Sequence, residues 1–159
     1  MKEIITRKGE RIIVCDCHYD RVAGYQWHIS NRGYVVRSEY IGLVDDKSKS
    51  KKISLHQLII GKKKGRLVDH INRDKLDNRC DNLRHVTPQE NVYNRKYKTT
   101  SKYKGVTKSG RVKNPWTVAV YFNKSRKFIG NFETPEKAAK EYNKAVKDYH
   151  GKHAYINPL

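Results

Sequence analysis

The stretch from Arg66 to Tyr97 constrains the fold more than any other part of the chain. Arg66–Ile71 (RLVDHI) and Leu83–Val86 (LRHV) carry the apolar content of short strands. Between them Asn72–Asn82 (NRDKLDNRCDN) is polar and rich in loop formers, apart from Leu76. A helix start follows at Thr87-Pro88-Gln89-Glu90, with Thr87 as N-cap, Pro88 at the first helical position and Glu90 closing a capping box. This helix is predicted to run to about Tyr97. The order is therefore strand, long loop, strand, helix, which a hairpin followed by a returning helix satisfies.

Charge narrows the range of partners. The 159 residues hold 35 Lys and Arg against 16 Asp and Glu, a formal net charge of +19. Residues 1–95 contribute 20 basic and 12 acidic side chains, and residues 96–159 contribute 15 and 4, so both parts are basic. A field of this size suits a polyanion, and double-stranded DNA is the expected partner. Eleven Tyr, two Trp and recurrent apolar clusters supply a core, which argues against a disordered basic tail. No apolar run approaches the roughly 20 residues that span a bilayer, so no membrane partner is expected. The first residues, MKEIITRKGE, lack an apolar signal-peptide core, which predicts a cytoplasmic protein acting on DNA inside a phage-infected or bacterial cell.

Hydrolysis of a phosphodiester needs a base to activate water and a cation to neutralise charge on the phosphate. Asp69 and His70 end the first strand of the central segment, and the loop formers after them let that strand lose regularity. Asn91 sits on the first turn of the helix, where the hairpin brings it back toward His70. His70 is the candidate general base, because an imidazole is partly neutral at working pH. Asp69 and Asn91 offer oxygen ligands to one divalent ion, Mg²⁺ or Mn²⁺, which keeps waters and takes substrate oxygens. Asn82 is placed to hydrogen-bond across the long loop and hold His70 in register. Arg84, on the second strand, and Arg95, after the capped turn, are candidate DNA contacts.

The flanks read as follows. Residues 1–60 alternate short β-like runs at Glu10–Val14, Trp27–Ser30, Gly33–Arg37 and Lys52–Leu55 with turn signals, and end in a short helix over His56–Ile60. Asp45–Lys52 (DDKSKSKK) reads as a surface loop, and Gly61–Gly65 (GKKKG) as a basic loop placed to meet a phosphate backbone. Cys15-Asp16-Cys17-His18 has C-x-C spacing and no second Cys/His pair nearby, so buried or inert thiols are expected rather than zinc ligands. His56 is expected to be a satisfied core histidine, and His85 to pack. Residues 98–102 (KTTSK) read as a linker. Beyond it, strands are predicted at Tyr103–Lys108, Trp116–Asn123 and Arg126–Phe132. A helix over about Pro135–Tyr149 follows, with an apolar stripe at Ala138, Ala139, Tyr142, Ala145, Val146 and Tyr149. Trp116, Val118, Val120 and Phe122 alternate toward that helix. The other face of the sheet, with Lys104, Tyr121, Arg126 and Phe128, is basic and aromatic, and a narrow sheet of this kind fits the DNA major groove.

The central segment resembles the HNH homing endonucleases of phages and other mobile elements. The resemblance rests on DH at 69–70, LDNRCDNLRHVT at 76–87 and QEN at 89–91. It implies the ββα-metal fold, His70 as base, Asp69 and Asn91 as metal ligands, Asn82 as the structural asparagine of the catalytic set, and 5′-phosphate and 3′-hydroxyl ends. The third position is Asn91 where the family name has His. YQWHISNRGYVVR and SLHQLII resemble the segment that precedes this motif in phage proteins, and imply an extension of the nuclease domain. Residues 102–158 resemble the plant Apetala/ethylene-response-factor DNA-binding domain through YKGV (103–106), Trp116, IGNFETPEKAAKEYNKA (129–145) and GKHAYINP (151–158). The base-contacting positions implied by alignment hold Lys104, Thr107, Ala119, Tyr121, Arg126 and Phe128, which retain only some of the family's cationic donors.

The expectation is thus an α+β chain in two parts. The first is a nuclease domain over 1–97, made of a β-rich extension (1–60) and the ββα-metal motif (66–97). The second, over 103–159, is a three-stranded antiparallel sheet packed on one helix. The reading is a metal-dependent DNA endonuclease acting as a monomer or weak dimer, with no small-molecule cofactor. The alternative is a non-catalytic DNA-binding regulator that keeps the fold.

Overall fold

The computed structural model describes residues 1–44, 47–97 and 99–159. Helices mix with small antiparallel sheets, as the α+β expectation requires. The chain divides into two compact units, Met1–Pro88 and Gln89–Leu159.

In the first unit, β1 (Lys2–Ile5) pairs antiparallel with β2 (Arg11–Val14), and helix α1 (Asp16–Ala23) follows. A three-stranded sheet comes next in the order β3 (His28–Ile29), β4 (Val35–Val44) and β5 (Lys47–Ser54), running into α2 (Leu55–Ile60). The last pair is β6 (Leu67–His70) with β7 (Leu83–Val86). Ile4, Ile12, Val14, Val22, Trp27, Val35, Leu55, Ile59 and Leu83 form one core, so β1, β2, α1, β4, α2 and β7 each contribute a buried apolar side chain and Trp27 adds one from just before β3. Trp27 is buried without leaving a polar orphan, because its indole N–H donates to the Val22 carbonyl at 2.8 Å.

Several sequence expectations need correction here. Lys47–Lys52, read as loop, is strand β5; Asp45 and Asp46 lie outside the described residues. The strand is exposed along most of its length and is specified by its ladder to β4 rather than by an apolar pattern. β1 and α1 were not anticipated. Helix α1 carries one fully buried apolar residue, Val22, and no side-chain cap on Cys15, so it lacks an apolar stripe and an N-cap signal, and only Asp16, Arg21 and Gly24 mark its ends. The cysteines are not scattered: Cys80, which opens a short 3-10 turn at Cys80–Asn82, lies with Cys15 and Cys17, their sulfurs all within 4.8 Å of one another.

In the second unit, α3 (Pro88–Asn94) ends three residues before the expected Tyr97. Past it, Ser101 of the expected linker is buried and its hydroxyl donates to the Val106 carbonyl at 2.6 Å; Lys98 lies outside the described residues. β8 (Val106–Lys108), β9 (Trp116–Phe122) and β10 (Ser125–Phe132) form an antiparallel sheet in the order β10-β9-β8, followed by α4 (Pro135–His150). Thr134 caps α4, its hydroxyl accepting from the Lys137 N–H at 3.2 Å, and Pro135 opens the helix. Val106, Val118 and Val120 meet Ala138, Ala139, Tyr142 and Val146 in a second core. Tyr142 packs so closely that a Cβ on Gly105 would lie 2.1 Å from its ring, and Gly105 also holds φ +75°. The C-terminal tail is locked by Asn157, which accepts from the Lys104 N–H at 2.7 Å and donates to the Lys104 carbonyl at 3.1 Å.

Candidate active site

The β6–β7 ladder sets the site. Asp69 pairs with Arg84 and His70 with Leu83, so the last two residues of β6 face the first two of β7. The loop between them, residues 71–82, is held by its own polar side chains. Asn82 accepts from the Asn72 N–H at 2.9 Å and donates to the Asp77 carbonyl at 2.7 Å, while the Ile71 N–H bonds to the Asn82 carbonyl at 2.8 Å. Asn82 therefore cross-ties the loop immediately beyond His70. Asn72 donates to Asp77 at 2.8 Å, and Arg79 forms two hydrogen bonds to the same carboxylate, which holds Asp77 below the usual carboxylate range. This density of side-chain bonds lets a loop without regular structure keep one shape.

A contact to the His70 ring comes from a residue that the sequence reading did not single out. Asn78 is fully buried, and its Oδ1 lies 3.3 Å from His70 Nε2. Its amide nitrogen is committed to the Lys75 carbonyl at 3.1 Å, so the oxygen must face the imidazole. An amide oxygen only accepts; Nε2 therefore carries the proton and the lone pair is on Nδ1. His70 is itself 4 % exposed, and burial pushes its pKa below 6.5 against the opposing pull of Asn78 and nearby carboxylates. Burial thus favours the neutral ring. The one signal for Asn78 in the sequence was its place in the DNRCDN run, where four Asn and Asp side chains compete for the same loop role.

Asp69 is 9 % exposed, and Arg84 donates to its Oδ2 from Nε at 3.0 Å and from Nη2 at 2.9 Å. Arg84, expected on DNA, thus has its guanidinium against the candidate ligand, one consequence of the register that pairs the two residues. His56 is buried on α2 as expected. It is not satisfied, however: its Nδ1 meets no hydrogen-bond partner among the described residues, and its ring stands 5.3 Å from that of His70. His85 bonds to the Gly61 carbonyl at 3.1 Å.

The remaining expected residues belong to the second unit. Asn91 is half-buried on α3, and Arg95 is exposed just beyond it. Lys104 does not lie on the open sheet face. Its ammonium donates to the carbonyls of Tyr93 at 2.7 Å and Arg95 at 2.9 Å, where the last turn of a helix leaves acceptors and partial negative charge. Thr107, Tyr121, Arg126 and Phe128 do share that face. Thr107 pairs with Thr117, Arg126 with Tyr121 and Phe128 with Ala119, and directly paired residues point the same way. Tyr121 and Phe128 are 59 % and 63 % exposed, an unusual cost for aromatic rings.

Residues 55–93 match the family model described as HNH endonuclease, a span that holds Asp69, His70, Asn78, Asn82 and Asn91. The chain is also 33 % identical over 144 residues to an uncharacterized HNH endonuclease of Acanthamoeba polyphaga mimivirus, covering 87 % of this chain and 70 % of that protein. The chain belongs to the HNH endonuclease family. No solved structure matches it. The matched span contains the whole of the β6–β7 hairpin just described. The mimivirus similarity reaches well beyond this hairpin. Among the described residues no helix is long and apolar enough to cross a membrane.

Proposed function

We propose that this HNH protein is a metal-dependent DNA endonuclease of the homing type. The observation that carries the reading is His70: a buried imidazole beside a carboxylate, with the Asn78 oxygen set against its Nε2, which supports the tautomer that a general base needs. His70 takes a proton from the attacking water at Nδ1. Asn78 fixes the ring plane and Asn82 fixes the loop behind it. Asp69, and Asn91 from the sequence pattern, would hold one Mg²⁺ or Mn²⁺. An all-oxygen donor set fits these ions, and Asp69 is already nearly dry. When bound, the cation supplies charge neutralisation for the phosphate and the leaving oxygen. The C-terminal sheet holds double-stranded DNA through Thr107, Tyr121, Arg126 and Phe128, with Arg95 adding a phosphate contact. One site per chain makes the monomer a nicking enzyme, with double-strand breaks requiring two events or a weak dimer.

A second reading has support in the Arg84–Asp69 pair, which already satisfies the carboxylate that a metal would use. On that reading the chain is a DNA-binding regulator with a dormant site. Supercoiled plasmid incubated with Mg²⁺ or Mn²⁺ separates the two. Nicking by the wild type that is lost in His70→Ala supports the nuclease. Equal nicking by both proteins refutes the role of His70, and DNA binding without cutting on any DNA favours the regulator.

A further inference from the structure

We propose that Cys15, Cys17, His18 and Cys80 form a structural zinc site that clamps the active-site loop to the N-terminal part of its own unit. Cys15 stands at the N-cap of α1, Cys17 and His18 lie on its first turn, and Cys80 opens the 3-10 turn that leads into β7. The three sulfurs lie within 4.8 Å of one another. His18 Nδ1 is 3.0 Å from the Cys17 sulfur and 3.3 Å from the Cys80 sulfur. A Cys₃His tetrahedron with Zn–S near 2.3 Å and Zn–N near 2.0 Å has edges of about 3.5–3.8 Å; the three sulfurs are close to that spacing and the imidazole already stands against two of them, so enclosing one ion needs the His18 ring to swing toward Cys15.

The chemistry of the donors selects the metal. Thiolates and imidazole favour zinc over the hard ions suited to Asp69 and Asn91. Four protein ligands also leave no open position for substrate, the mark of a structural rather than a catalytic site. The backbone N–H of Cys80 donates to the Cys15 sulfur at 2.9 Å, the kind of outer hydrogen bond that holds a ligating thiolate. A disulfide would use two sulfurs and leave the third, with His18, unexplained. The C-x-C spacing did not reveal the site because its fourth ligand comes from 65 residues away in sequence, counted from Cys15.

The position gives the site its purpose. The Ile13 N–H bonds to the Leu76 carbonyl at 2.9 Å, and the Asn78 N–H to the Ile13 carbonyl at 2.8 Å. Two backbone bonds are a thin attachment for a polar loop that orients His70. A zinc ion between Cys15, Cys17, His18 and Cys80 fastens the same seam two residues farther along each side.

The test uses the full-length protein, purified without chelators or metal-affinity resin, and its zinc content by mass spectrometry. We expect about one zinc per chain, falling to near zero in Cys17→Ser and in Cys80→Ser. The metal should remain in His70→Ala and Asp69→Asn, which keeps the result separate from that of the nuclease reading. Cobalt replacing zinc in the wild type should give thiolate-to-cobalt charge-transfer absorption and the visible bands of a tetrahedral ion. This measurement does not depend on the serine variants folding. Absence of zinc and of the cobalt bands overturns the proposal, as does zinc retained in both serine variants or a disulfide between any two of these cysteines in the native protein.

Discussion

Replacing Asn78 by Asp tests the central piece of chemistry with almost no change in shape. The new carboxylate would stand where Oδ1 now lies, 3.3 Å from His70 Nε2. At an effective dielectric constant of about 20, two unit charges at that separation attract by about 5 kcal/mol. Burying the carboxylate at a position with no solvent exposure offsets much of this, and an opposite charge at such range typically raises a histidine by about 1–3 pH units. His70 begins below 6.5, so in the wild type cleavage should rise with pH through a midpoint under 6.5 and then level off. In Asn78→Asp that midpoint should move to or above neutrality. Cleavage at pH 7 should fall about tenfold and recover by pH 9, an estimate that follows from the same shift of 1–3 units.

Asn78→Ala is the control. It removes the acceptor without adding charge, and it also strips the Lys75 carbonyl of its donor. It should cost about 2–3 kcal/mol of stability and slow cleavage at every pH without moving the midpoint upward. The assay is plasmid nicking under single-turnover conditions from pH 5 to 9, with ¹⁵N chemical shifts of His70 reporting the tautomer directly. If both variants lose activity equally at all pH values, Asn78 merely supports the loop. A wild-type ring protonated at Nδ1 would also refute the argument.

Three further outcomes follow from the same structure. Burial, with His70 nearby, pushes His56 down to about 4 from 6.5, so the folded protein favours the neutral ring; its contribution is full above pH 6.5 and is lost as pH falls toward 4. Wild type should therefore lose about 2 kcal/mol more than His56→Gln between pH 7 and pH 5 in urea unfolding, and equal losses would show that His56 protonates freely in the fold. Gly105→Ala forces a methyl group onto Tyr142 at a positive φ and should destabilise by about 3 kcal/mol or more; a loss under about 1 kcal/mol would mean that the Tyr142 ring is not fixed there. Arg126→Ala should weaken DNA binding about tenfold and lower the salt slope by about 1, measured by fluorescence anisotropy across a salt series, and an unchanged slope would remove this face from the interface.

What could be seen in the sequence was whatever rests on local signals. Leu83–Val86 is a strand with the bounds expected of it, and Thr134-Pro135 starts α4 where a cap and a first-turn proline should. The alternation of Val118 and Val120 against α4 was equally visible, since period and burial coincide. What was hidden depends on pairing across the chain. β5 is a strand because β4 lies beside it, and nothing in KSKSKKIS says so alone. Lys104 was read as part of an open sheet face, yet its long side chain reaches helix carbonyls instead. Around His70 the residue types were legible, but the choice of Asn78 over its neighbours was not. Four amide and carboxyl side chains of similar reach compete there, and only the Lys75 carbonyl and the fold of the loop decide between them.

The loop at 71–82 explains why a nuclease hairpin of this size needs residues 1–60. A two-stranded ladder of four residue pairs is marginal by itself, and β6 and β7 offer it little more. The loop between them must nevertheless hold an imidazole in one tautomer at one angle. Its own side-chain bonds fix its shape, and most of them lie within the loop and its strand ends; Lys75, donating to the Arg32 carbonyl at 2.6 Å, reaches outside. The backbone of the loop needs a further hold. The anchor is the edge of β2, where Ile13 exchanges two backbone bonds with Leu76 and Asn78, and β2 is in turn buried through Ile12 and Val14 in the core that also holds Leu83 of β7. The loop is thereby gripped from both sides by one packed core. The extension is therefore part of the scaffold that orients His70: loosening β2 should alter the His70 tautomer before it unfolds the hairpin.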